Sequence, residues 1–189
     1  MKILVLNGGP RKKGTTTTVL KELADALEKK HEVQWVDVYG LEMKPCMGCL
    51  KCRPDGECVL PEDGAHAVGR MIDEADTLVV GTPTYWGNMT GPLKILFDRS
   101  VPRIEYIGGG MLPRPNHKGK PGIIVTSSAA PWPFNLIKSQ SGGAVRSVKT
   151  LLKSGGYKIK GIINVPDMAR RTEIPEKYLK QARKLGERL

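Results

Sequence analysis

The chain has 189 residues, enough to bury one hydrophobic core, and its 40% hydrophobic and 26% charged residues are those of an ordinary globular protein. No apolar run approaches the roughly 20 residues that cross a bilayer as a helix, so the sequence holds no candidate membrane span. The formal net charge is +11, and residues 146–189 carry 12 Lys/Arg against 4 Asp/Glu, a net +8 that leaves +3 for the rest.

Charge of this kind steers phosphate-bearing partners, nucleic acid or a dinucleotide among them. Its plain reading is a solvated basic helix. No aromatic platform is interleaved with it, so stacking on single-stranded nucleic acid is not supported. The opening MKILVLNGGPRKKG has an apolar run of four residues and no cleavage-site pattern. The expectation is a cytoplasmic protein with reduced thiols, which argues against a disulfide framework.

Residues 2–6, KILVL, read as a buried parallel strand ending at Asn7-Gly8-Gly9. From Thr15, apolar Val19, Leu20, Leu23, Ala24 and Leu27 recur every three or four residues and predict a helix. His31 to Val38 is β-rich again, completing a βαβ unit. Residues 39–64 break the rhythm with Gly, Pro and all four cysteines. A helix is expected from about Ala65 to Glu74, then a central strand, TLVVG, at 77–81. Leu93, Ile95, Leu96 and Val101 suit the next helix, and residues 104–119 are too rich in Gly and Pro to be regular. GIIVT at 122–126 is the fourth strand. Val145, Val148, Leu151 and Leu152 mark a helix stopped by Gly155-Gly156. The last strand, YKIKGIINV, alternates lysine with apolar residues, as an edge strand does. Residues 175–189 predict a closing basic helix with Pro175 in its first turn. Five strands alternating with five helices predict one α/β domain over 1–189, a doubly wound parallel sheet with helices on both faces and a cysteine-rich loop at 39–64.

In such a sheet, ligands bind beyond the carboxyl ends of the strands. The segment after the first strand, NGGPRKKGTTTT, opens a helix whose free N–H groups and positive dipole end suit a phosphate. Thr15, Thr16 and Thr17 add hydroxyls, Arg11 adds a charged fork, and Gly9 and Gly14 let the backbone approach. The segment is neither a dinucleotide-binding Gly fingerprint nor a Walker A loop. After the third strand come Pro83, Thr84, Tyr85, Trp86, Gly87, Asn88 and Met89, whose aromatics suit a flat ring. After the fourth come Ser127 and Ser128, polar contacts to the same ligand. Phosphate at the first loop and a flat ring at the second describe FMN.

With these residues in view, the chain resembles the flavodoxin-like NAD(P)H-dependent FMN reductase family, most of all its iron–sulfur flavoprotein branch. The resemblance rests on GGPRKKGTT, on PCMGCLKC followed five residues later by Cys58, and on TLVVGTPTYWGNMTGPLKILFDRS at 77–100; the C-terminal half matches mainly in element order. It implies strand order 2-1-3-4-5, an FMN in the first, third and fourth loops, and hydride arriving from NAD(P)H at flavin N5. Arg11 and Thr15–Thr17 would hold the phosphate, and Thr84–Met89 would border the isoalloxazine. Relatives commonly carry Ser where Gly9 stands; Thr15 to Thr18 compensate for that hydroxyl. The flavin does the redox chemistry itself, so no catalytic side chain is named. Asp98-Arg99 is read as a structural ion pair or subunit contact, and His31, His66 and His117 as surface or loop residues.

Cys46, Cys49, Cys52 and Cys58 follow C-x2-C-x2-C-x5-C, a spacing that resembles iron–sulfur ligation more than paired zinc knuckles. Three readings stand: a [4Fe–4S] cluster, reduced or redox-active thiols beside the flavin, and zinc. The wider family includes members with closely similar cysteine spacing that are flavoproteins without a cluster. The acceptor would be a quinone, free flavin or a redox protein, and the assembly a homodimer or homotetramer with contacts through 104–119 and AAPWPF at 129–134. The rival readings are a one-electron carrier, against which the +11 charge argues, and a basic zinc-binding nucleic-acid module, which would be colourless.

Overall fold

The computed structural model describes residues 1–53, 56–108 and 112–189. Two expectations extend past them: residues 54–55 of the cysteine-rich loop and 109–111 of the 104–119 loop lie outside the described residues.

The elements in chain order are β1 (Lys2–Asn7), α1 (Thr15–Glu28), β2 (Glu32–Asp37), α2 (Gly64–Glu74), β3 (Thr77–Pro83), α3 (Gly91–Arg99) and the single turn α4 (Val101–Ile104). They continue with the short β4 (Glu105–Tyr106) and β5 (Arg114–Pro115), then β6 (Pro121–Ser127), α5 (Ser141–Ser154), β7 (Lys158–Val165) and α6 (Glu176–Glu187). Five strands form one parallel sheet in the order β2-β1-β3-β6-β7, which is the expected 2-1-3-4-5 when its own strands are counted along the chain. β4 and β5 form a separate antiparallel pair inside the segment expected to be irregular.

The strand residues alternate between two cores, as period two requires. Leu4, Leu6, Leu78, Val80 and Ile124 point to the side covered by α2, α3 and α5. Ile3, Val5, Val79, Ile123, Val125 and Ile163 point to the side covered by α1 and α6. β7 lies at an edge with Lys158 and Lys160 exposed, which blunts that edge as expected. α5 ends where Gly155-Gly156 predicts; Gly156 takes φ +82, which frees Tyr157 N–H to donate to Leu152 O.

Two boundaries and the burial of two histidines differ from expectation. Pro175 is the N-cap of α6 rather than a residue of its first turn. Val101 belongs to α4, because Ser100 leaves the helical conformation between α3 and α4. His66 and His117 are buried, not surface residues: His66 sits inside the first turn of α2, and His117 stacks on Tyr157 at 5.0 Å. Among the described residues, no helix is long and apolar enough to cross a membrane.

Candidate functional site

The carboxyl ends of β1, β3, β6 and β7 open onto one cavity of about 420 Å³. It is lined by residues 9–11 and 13–17, by Pro83–Tyr85, by Ser127–Ala129, and by Met168, Ala169, Arg171 and Thr172. Sequence-predicted Gly9, Arg11, Gly14, Thr15, Thr16, Thr17, Pro83, Thr84, Tyr85, Ser127 and Ser128 are thus brought together. The group after β7 was not foreseen. Its signal was two arginines in MARRT just beyond a strand end, read only as part of a basic tail. Met168 N–H donates to Ser128 O and Asp167 N–H to Ala130 O, which ties this segment to the β6 loop.

The loop entering α1 is built around Asn7. Its side-chain amide donates to Asp37 Oδ1 at 2.8 Å, and its Oδ1 accepts from Gly9 N–H at 3.0 Å and lies 3.3 Å from Thr17 Oγ1. The Thr17 hydroxyl donates to Arg11 O, and Thr16 shares a hydrogen bond with Ser127 at 2.8 Å. Buried Thr16 and Thr17 therefore spend their hydroxyls inside the fold and offer a ligand mainly their N–H groups. Gly14, the N-cap, has no side chain to cap the helix, so the first N–H groups of α1 face the cavity mouth without a competing acceptor. Half-buried Thr15 and exposed Arg11 complete the cradle, and Arg11 has no acidic partner among the described residues. This donor set fits a phosphate.

The β3 loop divides. Tyr85 lines this cavity, whereas Gly87, Asn88 and Met89 line a second one, of about 500 Å³, between α3 and α5. Tyr85 and Asn88 exchange two backbone hydrogen bonds of 3.0 Å across a tight turn with φ of 52° at Trp86 and 70° at Gly87. A bulky residue at positive φ is strained, yet Trp86 stands fully exposed at the tip of this turn. No described residue covers its ring, so the turn presents a flat apolar face outward.

The four cysteines ring a third cavity of about 360 Å³ below α3. Cys46 and Cys49 are exposed, Cys52 and Cys58 partly so, and all four are free thiols. Burial and the neighbouring Cys58, Cys46 and Cys49 thiols push the Cys52 thiol upward. Among the described residues, no three Cys, His, Asp or Glu side chains converge on a single metal position. Four soft thiol donors around one hollow fit a cluster that carries its own sulfides.

A match to the NADPH-dependent FMN reductase family runs over residues 1–140. The chain belongs to this family. Among individual relatives, an iron–sulfur flavoprotein of Methanocaldococcus jannaschii is 35% identical over 103 residues, 54% of this chain and 53% of that protein. The matched region thus spans about half of that relative's length. An iron–sulfur flavoprotein of Clostridioides difficile is 28% identical over 192 residues, covering 100% of this chain and 77% of that protein. Among solved structures, the NAD(P)H:quinone oxidoreductase of Methanothermobacter marburgensis superimposes with a TM-score of 0.78 at 19% identity, over 99% of this chain and 96% of that one. That likeness establishes the flavodoxin-like fold of this reductase family member.

Proposed function

We propose that this reductase is an FMN-dependent enzyme that takes electrons from NAD(P)H and passes them to a quinone, a free flavin or a redox protein, with a [4Fe–4S] cluster on Cys46, Cys49, Cys52 and Cys58 as a second centre. The observation that carries the reading is the uncapped N-terminus of a 14-residue helix opening, beside Arg11, which has no acidic partner among the described residues, into a cavity formed by four strand ends. FMN, when bound, supplies a ring that accepts hydride at N5. A cluster, when bound, supplies one-electron transfer.

The chain's own residues bind and orient. The N–H groups of Thr15–Thr17, the Thr15 hydroxyl and the Arg11 guanidinium hold the phosphate. Thr84 is fixed from two sides, its N–H donating to Ser127 O at 2.9 Å and its hydroxyl pairing with Thr126 at 3.3 Å, so the β3 and β6 loops form one wall. The exposed rings of Tyr85 and Trp86 give apolar surface beside the flavin position.

Three measurements test this. Arg11→Ala should weaken FMN binding about 10- to 100-fold, the worth of a charged hydrogen bond of about 1.5–3 kcal/mol; unchanged FMN affinity in a titration contradicts the phosphate role. Anaerobic addition of NADH or NADPH should bleach the bound flavin. Protein that keeps FMN but is not bleached by either cofactor is a carrier, not a reductase. Iron counted with FMN in anaerobically purified protein should reach about four per chain; a clean flavin spectrum without iron removes the cluster.

A further inference from the structure

We propose that Arg99 is the positioning residue of the cysteine loop: its buried guanidinium holds the Cys58 sulfur and fastens both ends of the loop to the sheet domain. The inference rests on the cysteine-loop reading above for its redox consequence, while the clamp itself is a matter of contacts.

The Arg99 side chain is 1% exposed, at the C-terminal end of α3. An arginine has five N–H groups, and here four have an acceptor of their own. Nε donates to Cys58 Sγ at 3.0 Å. One terminal nitrogen, Nη1, donates to Lys44 O at 2.7 Å and to Asp63 Oδ2 at 2.9 Å. The other, Nη2, donates to Asp63 Oδ1 at 3.1 Å and lies 3.3 Å from His66 Nδ1.

The same two partners reach the loop on their own account. Lys44 N–H donates to Asp63 Oδ2 at 3.2 Å. His66 Nδ1 accepts from Asp63 N–H at 3.2 Å, which puts the ring proton on Nε2, 3.0 Å from the Cys58 carbonyl it then donates to. Lys44 precedes the first cysteine by two residues and Cys58 is the last, so one knot of Asp63, His66 and Arg99 closes the loop at both ends.

A buried ion pair with Asp63 alone would account for Arg99 as a packing feature. It does not account for Nε, which the pair leaves over and which is spent on sulfur. Among the described residues, Cys46 Sγ receives only the Gly48 amide, at 3.4 Å. Among the described residues, Cys58 is therefore the one sulfur of the four with a side-chain cation hydrogen-bonded to it. A positive charge and an N–H donor at a ligand sulfur favour the more negative, reduced state of the group it holds and fix the ligand's orientation.

The experiment compares wild type with Arg99→Gln and Arg99→Lys, all purified anaerobically. Arg99→Gln should keep wild-type FMN content, lose iron to a chelator about 10-fold faster or more, and show a more negative midpoint potential for the iron that remains. Arg99→Lys, which keeps charge without the fork, should fall between. A purely structural arginine would lower the melting temperature and leave the potential unmoved; equal potential and equal iron loss in wild type and Arg99→Gln overturn the proposal. Wild type free of iron removes the cluster reading alone. The clamp is then decided by hydrogen exchange: faster exchange in Arg99→Gln at residues 44–46 and 58–64, with the amides of β1 unchanged, supports it, and identical exchange overturns it. If Arg99→Gln does not fold, the double variant Arg99→Met with Asp63→Asn removes both charges, keeps an N-cap residue, and is judged by the same readouts.

Discussion

At the scale of single residues, Asp63 carries several duties at once. It is the N-cap of α2, accepting from Ala65 N–H at 3.0 Å, and it receives Arg99 and Lys44 N–H as well. Burial pushes its carboxyl up, but the hydrogen bonds from Arg99 and from Lys44 N–H outweigh that and bring it down to about 2. An unfolded aspartate titrates near 3.9, so the folded state binds this proton less tightly than the unfolded one. Its contribution to stability is fully present above about pH 4 and is lost as pH falls toward 2. Denaturant melts of wild type should weaken across that window, and Asp63→Asn should flatten the dependence there; an identical pH profile in the variant would refute the assignment. Gly9 shows the same economy of space. A Cβ there would meet Thr17 Oγ1 at 2.9 Å and Asn7 Oδ1 at 3.1 Å. A serine there therefore needs Thr17 to shift, and Thr17 already serves the loop.

At the scale of elements, the phosphate cradle depends on how closely α1 lies on β3. Gly81 makes that approach: a Cβ on it would stand 2.1 Å from Leu20 Cδ1, inside any real contact distance. Gly81→Ala should therefore push α1 off the sheet, destabilising the fold by about 1–3 kcal/mol. It should also weaken FMN binding, because the displaced helix carries residues 15–17. A variant with wild-type melting temperature and FMN affinity would show the contact to be soft. The basic C-terminal helix is held by packing and ion pairs. α6 buries Ala182 and Gly186 against α1, and Arg183 pairs with Glu22 at 2.6 Å and with Glu176. Its remaining lysines stand in solvent, as a solvated basic face does.

At the scale of the whole molecule, Trp132, Phe134, Leu136 and Ile137 are exposed together with Trp86. The Trp86 turn lies against this segment, since a Cβ on Gly87 would meet Lys138 O at 2.7 Å. Exposed aromatic and aliphatic side chains grouped in this way mark a contact surface, and the AAPWPF segment is, with residues 104–119, one of the two expected to join subunits. Light scattering should give a dimer or tetramer, and Trp132→Ser with Phe134→Ser should shift it toward monomer; a monomeric wild type refutes this. Order along the chain was legible in the sequence. Runs such as KILVL and TLVVG and the three-to-four spacing of Val19 to Leu27 are local periodicities, set by which face each residue must bury. The positions of Arg11, Thr15 and the strand-end loops followed from that order. What only the tertiary structure decided are pairings with no local pattern. Arg99 meets Asp63 across 36 residues and Cys58 across 41. His66 and His117 go inside, and residues 168–172 close a cavity whose other walls lie in the first 130. Sequence periodicity says which face of an element is buried; only the register of helix on sheet says which side chains meet there.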